Sequence, residues 1–384
     1  MIKTKILFGR DRELDSAKEI VVNGGTNVLI VVGQQSVFKS GLLNRVIKEF
    51  EKENLTYHIL QGVRANPTFE LVEEGKKIVE ENSCDFIFAI GGGSVIDTAK
   101  CIAVNAYYEG DIKDFNFHVK VPKKALPLGV ILTLSASGSE MSTSCVIQDD
   151  ETQMKMGFNS ELVRPVFAIE NPELTYSVNK EQTGYGVVDI LMHTLERYFS
   201  ESNEYELADE FALGLIKNVI DTGLLVYNNP DNYDYRARLM LAGSISHSGY
   251  TSIGKDYSMP VHQLEHAISG KFVKVAHACG LAVLFPGWAK EYLPYEKEKF
   301  ARLGRHVFGI KEDNDEKCAE LCVKAFEEYF KKMDLPSSLS EIGIKEKDID
   351  SLVNNVSRNG SRVIPHRNHP MDHNVMRAIY LRVL

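Results

Sequence analysis

The first half of the chain alternates short apolar runs with amphipathic stretches. Asn27–Val32 (NVLIVV) is a continuous apolar run closed by Gly33, as expected of a strand buried on both faces of a parallel sheet. A helical stretch follows through Phe50. Thr56–Leu60 reads as the next strand and Thr68–Glu81 as the next helix. Asp85–Ile90 (DFIFAI) is a third strand, closed by Gly91, Gly92 and Gly93, and Leu128–Leu134 is a fourth. This β-α-β-α succession predicts an α/β domain built on a parallel sheet with helices on both faces. Around residues 145–170 the pattern shifts to short strands with turn residues, which predicts a hairpin appended to the sheet. From about Glu181 the helical period takes over, with helices expected at Glu181–Phe199, Glu204–Val226, Tyr235–Ser248, Val261–Ser269, Glu296–Val307 and Asp315–Lys332. The predicted organisation is an α/β domain over 1–180 and an all-α domain over 181–384. The His-rich, Pro-broken stretch after Asn359 reads as a surface loop before a last helix.

Composition narrows the function classes. At 384 residues the chain exceeds the size at which single cores stop growing, so two domains are expected. A net charge of −9 with no basic run argues against a nucleic-acid surface. No apolar run is long enough to cross a bilayer, and MIKTKILFGR lacks the apolar core of a signal peptide. The expectation is a cytosolic protein with neither membrane nor nucleic-acid partners. The six scattered cysteines are expected as reduced, buried thiols.

Two kinds of chemistry stand out. Gly91–Gly92–Gly93–Ser94 follows a buried strand and opens a helix. Glycines let the backbone approach a diphosphate, and the helix N-terminus supplies N–H donors. Ser94 and Asp97 have the S-x-x-D spacing of a capping box. A second polar loop, LTLSASGSE (132–140), also follows a strand and is placed to hold the ribose or nicotinamide end of a dinucleotide. No GxGxxG follows the first strand, so an ordinary Rossmann unit is excluded. In the second half, Asp189 and His193 are spaced i, i+4 and share a helix face. Three of the 11 histidines, His262, His266 and His277, fall within one 16-residue window. A carboxylate with imidazoles suits a borderline divalent ion, Fe²⁺ or Zn²⁺.

Taken together, these segments resemble the iron-containing (group III) alcohol dehydrogenases, in particular their butanol-dehydrogenase-like branch. GGGSVIDTAK (91–100), LTLSASGSEMS (132–142), KMGF (155–158), GVVDILMHTLE (186–196), HQLEH (262–266) and HACGLAVLFPGW (277–288) carry the resemblance, colinear over nearly the whole chain. It implies a dehydroquinate synthase-like architecture, with a dinucleotide-binding α/β domain, a helical metal-binding domain and the active site in a cleft. It implies Asp189, His193, His262 and His277 as ligands of one metal. It makes His266 a non-ligand histidine near the reacting centre, suited by its titration range to relaying a proton. Cofactor contacts are expected from Gly33, Gln34, Gln35, Ser36, Lys39, Gly91, Gly92, Gly93, Ser94, Asp97, Thr133, Leu134, Ser137 and Lys155. The end of the first strand has Gly33, Gln34 and Gln35 where NAD-preferring relatives carry an acidic residue, and Lys39 lies nearby. NADP is therefore expected ahead of NAD. Metal-assisted hydride transfer between alcohol and aldehyde is the implied activity, in a homodimer or higher homo-oligomer. Glycerol dehydrogenase-like or dehydroquinate synthase-like chemistry, and a non-catalytic nucleotide-binding scaffold, are the alternatives. Three departures from the family pattern stand out: Ala278 and Cys279 follow His277, the interval from His266 to His277 is one residue longer, and Asn171 replaces an aspartate.

Overall fold

Residue side chains with no polar atoms set the centre of the first unit, Met1–Ser177. In a computed structural model that describes residues 4–200 and 206–384, six parallel strands form its sheet: β1 (Lys5–Phe8), β2 (Asn27–Gly33), β3 (Thr56–Val63), β4 (Phe86–Gly91), β5 (Leu128–Leu132) and β8 (Phe167–Glu170). Their order is β1-β8-β5-β4-β2-β3. All six residues of β4 are buried. Phe88 of β4 lies with its ring centroid 5.9 Å from Phe50 and 6.0 Å from Phe167. Burying each such side chain contributes about 1.5–3 kcal/mol. The connecting helices are α1 (Ser16–Val22), α2 (Ser36–Lys39), α3 (Leu42–Lys52), α4 (Phe69–Asn82) and α5 (Gly93–Asn105).

Sheet order decides where a ligand can sit. The chain leaves β2 for β3 on one side and returns to β4 on the other side of β2. Between β2 and β4 the strand order therefore reverses, and open α/β sheets bind ligands outside the carboxyl ends of strands at such a point. Val32 pairs with Ile90 there. Gly33 and Gly91, the last residues of the two strands, thus flank the reversal.

Two expectations need correction. The hairpin forms, as β6 (Ser144–Asp149) and β7 (Met154–Asn159), but it is its own two-stranded antiparallel sheet and does not extend the six-stranded one. Strands β1 and β8 carry no apolar run long enough to announce them. They form because β8 pairs with β5 and β1 pairs with β8.

The second unit, Val178–Leu384, is helical: α6 (Lys180–Tyr198), α7 (Glu206–Asn228), α8 (Tyr233–Ser246), α9 (Pro260–Lys271), α10 (His277–Phe308), α11 (Asp315–Lys331), α12 (Glu346–Ser357) and α13 (His373–Arg382). The helix start expected at Glu204 lies outside the described residues. Helix α10 begins much earlier than Glu296. Pro286 and Pro294 hide it in the sequence, and the backbone departs from helical values at Glu296. From Gly186 to Tyr198, α6 is buried at every position, so its polar side chains lie inside the unit. No described helix is long and apolar enough to cross a membrane.

Gly129 of β5 shows how tight the sheet packing is. A Cβ there would lie 2.3 Å from Cζ of Phe167. Gly129→Ala is expected to cost about 1–3 kcal/mol in urea unfolding, with an unchanged denaturant slope.

Candidate active site

In the first unit the two glycine- and hydroxyl-rich loops are built against each other. Thr133 N–H donates to Gly91 O at 3.0 Å. A Cβ on Gly92 would lie 3.1 Å from Leu134 Cβ, and one on Gly93 would lie 2.4 Å from Ser137 Oγ. Gly92 and Gly93 thus leave room for the second loop, whereas Gly91 leaves room for Val95 of α5. Helix α5 starts at Gly93 with Gly92 as its N-cap and no side-chain cap, so the Ser94–Asp97 capping box does not form. Asp97 instead accepts from Ser139 Oγ at 2.6 Å and from Val146 N–H at 3.0 Å.

One turn on, the fully buried Lys100 donates to Ser139 O (2.7 Å), Ser142 O (3.0 Å) and Ser144 O (2.8 Å), and reaches both serine hydroxyls at 3.0 Å. Burial draws its pKa down to about 8 against the pull of Asp97. The charged residues of the GGGSVIDTAK motif therefore anchor the second loop rather than face solvent. On β7, Lys155 donates to Asn66 Oδ1 at 3.0 Å. Asn66 is buried, holds φ at +56°, and has an Nδ2 with no partner. The sequence reading missed it; the Asn-Pro dipeptide at 66–67 was the available signal. Gln34 contributes its carbonyl to Gln61 Nε2 at 2.9 Å. Ser36 and Lys39 bound the short helix α2, and Gln35 is its N-cap.

In the second unit, Asp189 and His193 lie one turn apart on α6, and His262 lies on the first turn of α9. All three are buried. Asp189 Oδ1 is 3.4 Å from His193 Nδ1 and 3.7 Å from His262 Nε2. None of these three atoms makes a hydrogen bond. The His193 and His262 ring centroids are 4.4 Å apart. Three buried donor atoms converging without partners are costly unless something fills the space between them. A divalent cation fits that requirement by charge, by size and by donor type. Burial, followed by the neighbouring His247, His262 and Arg197, holds His193 well below the usual imidazole range, so it is neutral as a ligand must be. Burial also disfavours charge on His262, but Glu196 and Asp189 outweigh it and raise its pKa to about 9.

His277 is the first residue of α10, with its ring centroid 5.3 Å from that of His262 and 5.6 Å from that of His266. Its Nδ1 bonds the carboxylate of the fully buried Glu265. His262 Nδ1 bonds Glu196 in the same way. These two carboxylates, and His247 with its ring 4.5 Å from His193, went unread in the sequence. Both glutamates lie inside the quoted motifs, but only the fold shows what they touch. Glu265, His266 and His277 form a second cluster of possible ligand atoms.

Two of the three departures have local accounts. Asn171 donates to Glu13 Oε2 at 2.9 Å and caps the turn that follows it. Cys279 is buried, which pushes its thiol up to about 11 and keeps it protonated. A Cβ on Gly280 would lie 2.8 Å from Glu265 Cγ, so the glycine three places after His277 gives Glu265 its room. All six cysteines are unpaired and buried. The histidines of the C-terminal loop pair with carboxylates instead of converging: His366 with Glu296 at 3.1 Å and His369 with Glu291 at 3.2 Å.

A family profile described as "Iron-containing alcohol dehydrogenase" matches residues 3–172, and one described as "Fe-containing alcohol dehydrogenase family, C-terminal" matches residues 183–384. The chain is 36% identical to the probable NADH-dependent butanol dehydrogenase 1 of Bacillus subtilis, over 93% of this chain and 92% of that one. It is 31% identical to the NADPH-dependent aldehyde reductase YqhD of Escherichia coli, over 98% and 97% of the two chains. The crystal structure of NADH-dependent butanol dehydrogenase A from Thermotoga maritima superposes with a TM-score of 0.94 at 31% identity, covering 100% of this chain and 97% of that one.

The loop-on-loop packing makes a direct prediction. Gly93→Ala forces Ser137 away and is expected to weaken NAD(P)H binding about 5–150-fold, the equivalent of the 1–3 kcal/mol cost of overpacking. Fluorescence titration of the cofactor checks this.

Proposed function

Since the chain belongs to the iron-containing alcohol dehydrogenase family and is a metal-containing, NAD(P)-dependent oxidoreductase interconverting alcohols and aldehydes, we propose that its substrates are simple aliphatic aldehydes and their alcohols, turned over with NADP in preference to NAD. The observation that carries this reading is the set of three buried, unpartnered donor atoms on Asp189, His193 and His262. His277, presenting Nε2 because Nδ1 is held by Glu265, completes a set of one carboxylate and three imidazoles. When bound, the metal polarises the substrate oxygen as a Lewis acid and the nicotinamide exchanges hydride with the substrate carbon.

The protein's own residues bind, orient and move protons. Gly91, Gly92 and Gly93 and the N-terminus of α5 cradle the diphosphate. Thr133, Leu134 and Ser137, whose loop Asp97 and Lys100 anchor further along at Ser139, receive the rest of the cofactor, with Lys155 directed at the ribose. His266 lies one turn beyond His262 on α9, with its ring 6.5 Å from that of His262, and carries the alcohol proton towards solvent. The NADP preference rests on Gly33, Gln34, Gln35 and Ser36, which place no carboxylate against a 2′-phosphate, and on the cation of Lys39. Among the named relatives both NADH and NADPH occur. The substrate class follows from their names, which specify butanol and aldehyde. A cytosolic homodimer is the assembly proposed with this activity, on the family resemblance.

Protein stripped of metal by a chelator is expected to oxidise NADPH with butanal only after Zn²⁺ or Fe²⁺ is restored, and to oxidise NADH more slowly. Turnover that ignores the metal would contradict the site. A faster rate with NADH would contradict the cofactor preference while leaving the activity intact.

A further inference from the structure

We propose that Glu196 and Glu265 are positioning residues that dictate which nitrogen two of the metal-binding histidines present, an inference that rests on the metal reading above. Helix α9 begins with Pro260 after Met259, which holds φ at +51° and supplies no side-chain cap. The free N–H groups of that first turn need an acceptor. Glu196, reaching across from α6, provides it: Oε1 accepts from Val261 N–H at 2.5 Å and from His262 N–H at 3.3 Å. Its other oxygen bonds His262 Nδ1. One buried carboxylate therefore sets the start of the helix and the orientation of the imidazole it carries. The ring is left with Nε2 turned to Asp189, 3.7 Å from Oδ1.

Glu265 repeats the arrangement. It sits at the centre of α9, fully buried, with one oxygen accepting from Ser269 Oγ and the other bonded to His277 Nδ1. The room for it comes from Gly280. Two histidines from different helices thus meet the same constraint. Each has Nδ1–H donated to a buried carboxylate, which fixes the tautomer, aims Nε2 and raises the basicity of the ring.

A glutamine substitution isolates this role. A carboxylate offers acceptors on both oxygens, whereas a glutamine amide has one acceptor oxygen and one donor nitrogen. With its oxygen capping α9, E196Q turns an amide N–H donor towards His262 Nδ1 and so favours the tautomer protonated on Nε2, the wrong one for a ligand. Co²⁺ affinity of the full chain is measured by competition with a chromogenic chelator, together with the visible Co²⁺ spectrum and the melting curve of the metal-free protein. E196Q and E265Q are each expected to bind Co²⁺ about 10–100-fold more weakly, with a shifted Co²⁺ band, while the metal-free forms keep their helical signal. Wild-type affinity and spectrum in both variants would overturn the inference. Should either variant fail to fold, nitrogen-15 NMR of the histidine rings in the Zn²⁺-loaded wild type decides it. Protonated Nδ1 on His262 and His277 supports the assignment, and coordination through Nδ1 overturns it. Wild-type protein that takes up no Co²⁺ would overturn the metal reading itself, and the inference with it.

Discussion

A fold that buries three polar atoms beside one another without a hydrogen bond must recover that cost. Each unsatisfied group costs about 1–3 kcal/mol, and Asp189 Oδ1, His193 Nδ1 and His262 Nε2 are all in that condition. The helical unit is organised around them. Helix α6 is buried through Tyr198, so the two residues it contributes cannot turn to solvent. Helix α9 brings the third, and Glu196 joins the two helices at that point. The cation proposed for this site would offset that cost. This is the physical content of calling the chain metal-dependent.

The α/β unit follows a different logic. Its position is set by strand order, since the reversal between β2 and β4 puts Gly33 and Gly91 side by side at the carboxyl ends of the sheet. Its shape is set by packing. Gly92 and Gly93 leave room for Leu134 and Ser137, and the buried Lys100 holds the serine-rich loop by its carbonyls. The glycines and charges of one motif are thus needed by a second motif about 40 residues further on.

Much of this was legible before folding. The apolar runs of β2 and β4, the i, i+4 spacing of Asp189 and His193, and the crowding of histidines into one window are local features, and local features survive in a sequence. What was lost is non-local. β1 and β8 are short and become strands only by pairing with neighbours. The prolines at 286 and 294 masked the first half of α10, whose packing tolerates them. Asp97 has capping-box spacing, yet its carboxylate goes to Ser139 and Val146, because that loop folds over the helix. Glu196 and Glu265 went unread in the sequence. Their meaning depends on which imidazole nitrogen they meet, and no periodicity records that. His262 and His266 share a helix face, so spacing alone could not rank them; the Nε2 of His262, without a hydrogen bond beside Asp189, supports the proposed ranking.

The most direct test is the position of the metal itself. Crystals of the protein grown with Zn²⁺ and measured across the zinc absorption edge would place it by anomalous scattering. The account predicts one strong peak within coordination distance, about 2.0–2.2 Å, of Asp189, His193, His262 and His277. A peak instead at Glu265 and His266, at the C-terminal histidines, or at none of these residues would contradict it.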